Sequence, residues 1–443
     1  IKNIEEGKIC VSEKKIKVLW IAFQPIPAIL KKINPDMQIV TGGWLQGAAD
    51  IITKHDDIEL SYCFQFEHDV EGVAEEMYYF SMPVTPVVKR RDIVQYKKED
   101  FIRFKSQIEK IKPDIIHIYG TETWFQRQFA FMVKELGLID KTVVWIQGLT
   151  SFCANAYCNG LSQREINRKT VWEAIRGTNI YGIKNRLRLN GEGEFRELEI
   201  LKHVFVRTEW DTACCRAVNS KLTMHYCGET LRPEFYQDKV WSVENLKKHR
   251  IFFSQCNTPI KGFHQMLKAM PIILKEFPDA ELCTTGFDLM RHSTNFMNKL
   301  REPSYNKILR EMISEYGLKT NVKFLGKLSG EEMRNQYADS SVFVMASTIE
   351  NSPNSIGEAM MVGVPIVASD VGGVSSMLTH KYDGLLYPFN EYAILAEEVC
   401  RLFREADLAV KYSVHARKKA LHTHSQEGNY EMLLNGYREI MEG

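Results

Sequence analysis

At 443 residues the chain is too long for one ordinary hydrophobic core, so two domains are expected. Lys and Arg total 57 against 56 Asp and Glu, a net charge of +1, which excludes a global pull on nucleic acid. No apolar run reaches membrane-spanning length, and the ten cysteines lack the spacing of a disulfide scaffold or zinc site, so a cytoplasmic protein with reduced thiols and no structural metal is expected.

Residues 1–17, IKNIEEGKICVSEKKIK, are polar and mixed in charge, without the apolar core of a signal peptide; because residue 1 is Ile, a processed or trimmed start stays open. Ile16–Ala22 reads as the first strand. In TGGWLQGAADIITKH, Gly42 and Gly43 then precede Trp44 and a helix-like stretch. Lys89, Arg90, Arg91, Lys97 and Lys98 form a first basic cluster. The next strand, Ile115–Tyr119, lies in PDIIHIYGTE, with His117 inside it and Glu122 beyond it. Strands at 143–146 and 204–206 flank a second basic cluster of Arg164, Arg168, Lys169, Arg176, Lys184, Arg186 and Arg188. Both clusters suit anionic lipid head groups or a polyprenyl diphosphate, the alternative being solvated side chains. Near-continuous apolar strands imply burial on both faces, as in a parallel sheet between helices.

Residues 227–249, CGETLRPEFYQDKVWSVENLKKH, lose the pattern and read as a linker. Strands then recur at 251–253, 282–284, 322–325, 342–345 and 366–368. Ser329 with Glu332 three residues on makes a capping box before Met333 and Tyr337. The stretch 342–373, VFVMASTIENSPNSIGEAMMVGVPIVASDVGG, is the most telling. Its strand ends near Glu350, Pro353 marks a turn, and 356–362 reads as a helix closed by Gly363. Glu350 therefore lies at the carboxyl end of a strand, where open α/β sheets bind ligands, and Glu358 lies one turn into the helix. Free amides near Asn354, Ser355 and Ile356 would favour phosphate, Glu358 would accept from a ribose diol, and Glu350 would reach sugar hydroxyls. A plain βαβ turn with solvated glutamates is the alternative. At the end, Tyr430, Leu433, Leu434, Tyr437, Ile440 and Met441 form an apolar stripe at helical spacing.

Glu350, seven residues, then Glu358, within ENSPNSIGEAMMVGVPIVASDVGG, resembles the signature of the family 4 glycosyltransferases, retaining enzymes of the GT-B fold. Residues 251–270, IFFSQCNTPIKGFHQMLKAM, are similar to the first strand, loop and helix of that family's donor domain, and 322–340, VKFLGKLSGEEMRNQYADS, to a later strand and helix. Residues 383–399, DGLLYPFNEYAILAEEV, also fit. The resemblance is strong from residue 251 onward and scattered before it, where 143–160 is similar to bacterial polysaccharide-assembly members.

The resemblance implies an α/β chain of two Rossmann-like, doubly wound domains facing a cleft: an acceptor-binding domain over 1–236, completed by a C-terminal helix at 428–443 that packs back on it, and a donor domain over 237–427. It implies a retaining hexosyltransferase that moves a hexose or N-acetylhexosamine from a nucleotide-diphosphate sugar, UDP-sugars first, to a saccharide or polyprenyl-linked acceptor in polysaccharide or glycolipid synthesis. Work in the cytoplasm or on the inner membrane face follows, with no cofactor and no metal; no Asp-x-Asp stands beside a predicted donor strand. Lys261, before Gly262, matches the family's diphosphate-binding lysine. Its arginine companion is replaced by Gln255, which carries no charge, so diphosphate binding weakens or the burden shifts to the helix start and to Arg207 or Arg232. The Gly42–Gly43 pair would let backbone approach the donor phosphates, or is an ordinary loop. His117 matches the first position of the family's His-x-His segment, with Tyr119 at the second, so it is a catalytic candidate or a buried strand histidine. Glu122 would bind acceptor hydroxyls, or is solvated. A nucleotide-sugar epimerase of the same architecture, and a catalytically silent binding protein, are the alternatives.

Overall fold

The computed structural model describes residues 15–35, 43–83, 96–237, 240–290 and 300–443. Strands β1 (Ile16–Ala22), β2 (Ile58–Phe66), β3 (Glu71–Ala74), β4 (Met77–Pro83), β5 (Ile115–Tyr119), β6 (Thr142–Trp145), β7 (His203–Val206) and β8 (Thr223–Tyr226) form one sheet in the order β3-β4-β2-β1-β5-β6-β7-β8. Its pairs are parallel except β3 with β4. Alternation along β1 shows why the strand is apolar throughout: Val18, Trp20 and Ala22 enter one core, while Leu19 and Ile21 enter the core on the opposite face.

A second, all-parallel sheet holds β9 (Lys247–Phe253), β10 (Glu281–Thr284), β11 (Val322–Phe324), β12 (Ser340–Met345), β13 (Ile366–Asp370) and β14 (Leu385–Pro388), in the order β11-β10-β9-β12-β13-β14. The order reverses between β9 and β12, and the crevice at such a switch point is where doubly wound sheets take ligands. Two Rossmann-like domains result, as expected. Strand β2, with Ser61 and Gln65 breaking its apolar run, and strands β3, β4, β8 and β14 were not predicted.

Residues 227–249 are not a free linker. Leu231, Phe235 and Trp241 sit in the second core; the Trp241 amide donates to the Val362 carbonyl at 2.9 Å and its Nε1 to the Ser340 carbonyl at 2.8 Å. Individual anchors rather than a periodic face hold this segment, so it has no readable period. The last helix, Gln426–Glu442, lies on the first sheet. Tyr430, Leu433, Leu434, Tyr437 and Ile440 join that core, and Trp20 Nε1 donates to the Tyr437 hydroxyl at 2.9 Å. Met441, expected in the stripe, is instead 50% exposed. The Ser329–Glu332 capping box is present, with the Ser329 amide donating to Glu332 Oε2 at 2.7 Å and the Glu332 amide to Ser329 Oγ at 3.2 Å. The nine cysteines among the described residues are unpaired.

Candidate functional site

A cleft of about 1360 Å³ lies between the carboxyl ends of the two sheets. Loops leaving β6 (Gln147), β7 (Arg207), β9 (Gln255, Lys261), β10 (Thr285 to Phe287) and β12 (Glu350) line it. The loop after β12 is held by close backbone approach. Gly262, at φ +69°, lies where a Cβ would come within 1.7 Å of the Ala346 carbonyl oxygen, and Gly372, at φ +53°, where it would come within 2.0 Å of that of Glu350. Glycine at both positions lets the Lys261 turn and the segment after β13 close on the strand end that carries Glu350.

Lys261 Nζ meets Glu350 Oε1 at 2.7 Å, and Ser347 Oγ donates to the same oxygen at 2.7 Å. Two donors thus fix Oε1, and among the described residues no hydrogen bond engages Oε2. The helix Asn354–Val362 begins beside it with Pro353 as N-cap and no side-chain cap bond. Such a start turns amides toward the crevice, and Asn354 and Ser355 line it. Ile356 does not act there: its amide donates to the Pro353 carbonyl at 2.9 Å and its side chain is in the core.

Glu358 differs most from expectation. It is buried rather than open, and Arg232 Nε and Nη2 donate to Oε1 at 2.9 and 2.7 Å, while the Tyr337 hydroxyl donates to Oε2 at 3.3 Å. Burial raises its pKa despite the opposing Arg232. Any ribose hydroxyl would have to share this carboxylate. Arg207, the other cation offered for the diphosphate, forms a buried pair with Glu229 and donates through Nη2 to the Gln147 carbonyl at 3.0 Å. Burial lowers its pKa to about 10. Asn354 Nδ2 completes the group by donating to Glu229 Oε1 at 3.2 Å. Across the cleft, Thr208 Oγ1 donates to Asn351 Oδ1 at 2.7 Å, and Asn351 Nδ2 to Asp211 Oδ2 at 3.0 Å, so the two domains share hydrogen bonds beside the site.

His117 is not brought to the cleft. It is fully buried on the sheet face covered by the last helix, stacked on Tyr119 at 4.2 Å, with Nδ1 2.6 Å from the Tyr437 hydroxyl. Burial lowers its pKa well below the usual value, which keeps the ring neutral, so a catalytic role is replaced by a core role. Gly43 is the first residue of the helix Gly43–Ile52, whereas Gly42 and the cluster Lys89, Arg90 and Arg91 lie outside the described residues.

Glu122 stands just past β5, in a slot opened by two glycines: a Cβ on Gly120 would be 2.2 Å from Oε2, and one on Gly148 would be 3.4 Å from Oε1. Burial and neighbouring Glu194 raise its pKa to about 7, against opposing backbone hydrogen bonds and Arg207. The native state therefore holds a proton between pH 4.5 and about 7 that the unfolded chain has released, so this contribution to stability is lost as pH rises across that window. Glu122→Gln should flatten the fall in unfolding free energy between these limits, on the order of 3 kcal/mol, read by urea melts at several pH values. An unchanged pH slope would contradict the assignment.

Sequence reasoning missed Glu229, Tyr337, Ser347 and Phe287. Glu229 sat in the supposed linker, Tyr337 and Phe287 reach the cleft from other elements, and Ser347, buried three residues before Glu350, acts only by orienting that carboxylate. Phe287 is 77% exposed where it lines the cleft.

Residues 237–419 match the family model described as glycosyl transferases group 1. Residues 237–419 are thus similar to group 1 glycosyl transferases. The chain is also similar to the uncharacterized glycosyltransferase MJ1607 of Methanocaldococcus jannaschii, 27% identical over 183 residues, which are 41% of this chain and 43% of that protein. The chain thus spans less than half the length of that relative. The fold as a whole is GT-B. It superposes on sucrose-phosphate synthase from Thermosynechococcus elongatus with a TM-score of 0.67 at 15% identity, covering 97% of this chain and 100% of that one. Against the Anabaena protein HepE in complex with UDP-glucose the TM-score is 0.60 at 15% identity, covering 96% and 98%.

Proposed function

We propose that the protein transfers a hexose or N-acetylhexosamine, with retention, from a nucleotide-diphosphate sugar to a saccharide or polyprenyl-linked acceptor in polysaccharide or glycolipid synthesis in the cytoplasm. The observation that carries this reading is the Lys261–Glu350 pair, 2.7 Å apart, beside an uncapped helix start at the switch point of the second sheet. In the proposed complex a diphosphate rests on the amides of Asn354 and Ser355 and on Lys261, with Gln255 as an uncharged donor. Glu350 accepts from hydroxyls of the donor sugar through Oε2, Glu358 shares a ribose hydroxyl with Arg232, and the base lies toward Phe287. The bond from the anomeric carbon to the phosphate oxygen breaks as the acceptor oxygen bonds on the same face, and the acceptor proton passes to the departing phosphate. The protein positions the partners and stabilises the charge of the leaving diphosphate, which Lys261 and the helix start supply without a metal or other cofactor.

Incubation with a panel of nucleotide sugars, UDP-sugars first because a protein of like fold was solved with UDP-glucose, tests this. Nucleotide release that depends on an added saccharide or lipid-linked acceptor is expected. A changed sugar on an intact nucleotide would instead indicate an epimerase, and binding without either reaction a silent protein.

A further inference from the structure

Three large apolar side chains among the described residues are at least 70% exposed: Phe287 in the cleft, and Val171 at 70% and Ile175 at 75% on one short helix, Val171–Arg176. Four residues apart, Val171 and Ile175 share a face, and Ala174 between them is exposed as well. The opposite face explains why these residues point outward. Glu173 is buried and accepts from the Ser304 amide at 2.8 Å and the Ser304 hydroxyl at 3.1 Å, which bolts the helix to the start of the C-terminal domain helix Ser304–Glu315. Tyr181, at the start of the next helix, Ile180–Ile200, is 50% exposed.

Cations accompany this apolar face. Trp172 holds the guanidinium groups of Arg176 and Arg301 over its ring at 4.5 and 5.0 Å. Residues 164–188 contain seven Lys and Arg against Glu165 and Glu173 alone. Both carboxylates are spent, Glu173 on Ser304 and Glu165 on its capping box with Ser162. Arg168 is paired with Glu311 and Arg188 with Glu192, but the other cations of the segment leave a positive excess beside the exposed apolar pair, which fits an interface that is itself apolar beneath and anionic above.

We propose that the helix Val171–Arg176 docks the protein on an anionic lipid surface, with Val171 and Ile175 entering the head-group boundary and the accompanying cations binding lipid phosphates. This docking is independent of the donor and of the transfer reaction. The test is co-sedimentation of the full chain with vesicles of phosphatidylcholine, alone or with phosphatidylglycerol, at low and high salt. Partition onto the anionic vesicles should exceed that onto neutral ones by about tenfold or more and weaken with salt. Val171→Asp with Ile175→Asp should lower it about tenfold, and Arg164→Glu with Lys169→Glu should do the same on anionic vesicles alone. All of these side chains are exposed, so unfolding temperature and nucleotide binding should not move, which separates this outcome from any failure of the transfer reading. Equal partition on both vesicle types, no partition, or unchanged partition in the variants would overturn the proposal. A dimer in solution that Ile175→Asp dissolves would assign the face to a second copy instead.

Discussion

Lys261→Ala is expected to slow sugar transfer by about 10²–10³-fold, the scale of removing one preorganised charge from a transition state. Negative charge on the diphosphate grows as the anomeric bond breaks, so the Lys261 ammonium stabilises the transition state more than bound donor. The loss should therefore appear mainly in kcat, with donor affinity falling less than about tenfold. Lys261 also sets the carboxylate of Glu350 through the 2.7 Å contact. Glu350→Gln combined with Lys261→Ala should cost less than the two single losses together, because the residues act as one unit. Steady-state kinetics with titrated donor and a nucleotide-binding measurement decide it. Unchanged kcat in Lys261→Ala would remove the residue from the reaction.

Arg232→Ala should destabilise the fold by about 3 kcal/mol near pH 8, the lower end for breaking a buried pair because Arg232 is partly exposed. Glu358 would be left buried with only Tyr337, at 3.3 Å, as partner. Its pKa is already raised in the intact protein, by burial, and losing Arg232 raises it further. Protonation in the folded state is then favoured relative to the unfolded chain, so stability is greatest at low pH and is lost as pH rises through the folded value. The deficit of the variant should accordingly be small near pH 5 and grow toward pH 8. Adding Glu358→Gln removes the stranded charge and should recover most of the loss. Urea melts of the two single variants and the double variant at both pH values provide the check; a deficit independent of pH would mean that the pair contributes by packing alone.

Among the expected site residues, those legible in the sequence are the ones set by local rules. A strand end, a proline and a glycine-closed helix place Glu350, Asn354 and Ser355 within a few residues of each other, and a short turn after β9 places Lys261 and Gln255. His117 shows the limit. Its position in an apolar strand says that it is buried, but which sheet face it occupies depends on the register of β5 and on the helix Gln426–Glu442 more than three hundred residues away. Ile356 fails for a local reason instead: its amide is spent inside its own turn.

By itself the sequence determined two doubly wound domains and a charged turn at a strand end, because apolar runs, caps and turn residues act over a few positions and leave a periodic trace. Only the tertiary structure decided that Arg232 occupies Glu358, that Arg207 is consumed by Glu229, and that Val171 and Ile175 face outward. Those outcomes depend on which segments meet across the cleft, and burial makes such meetings selective: a charge withdrawn from water must find its partner wherever the fold brings one, whatever the distance along the chain.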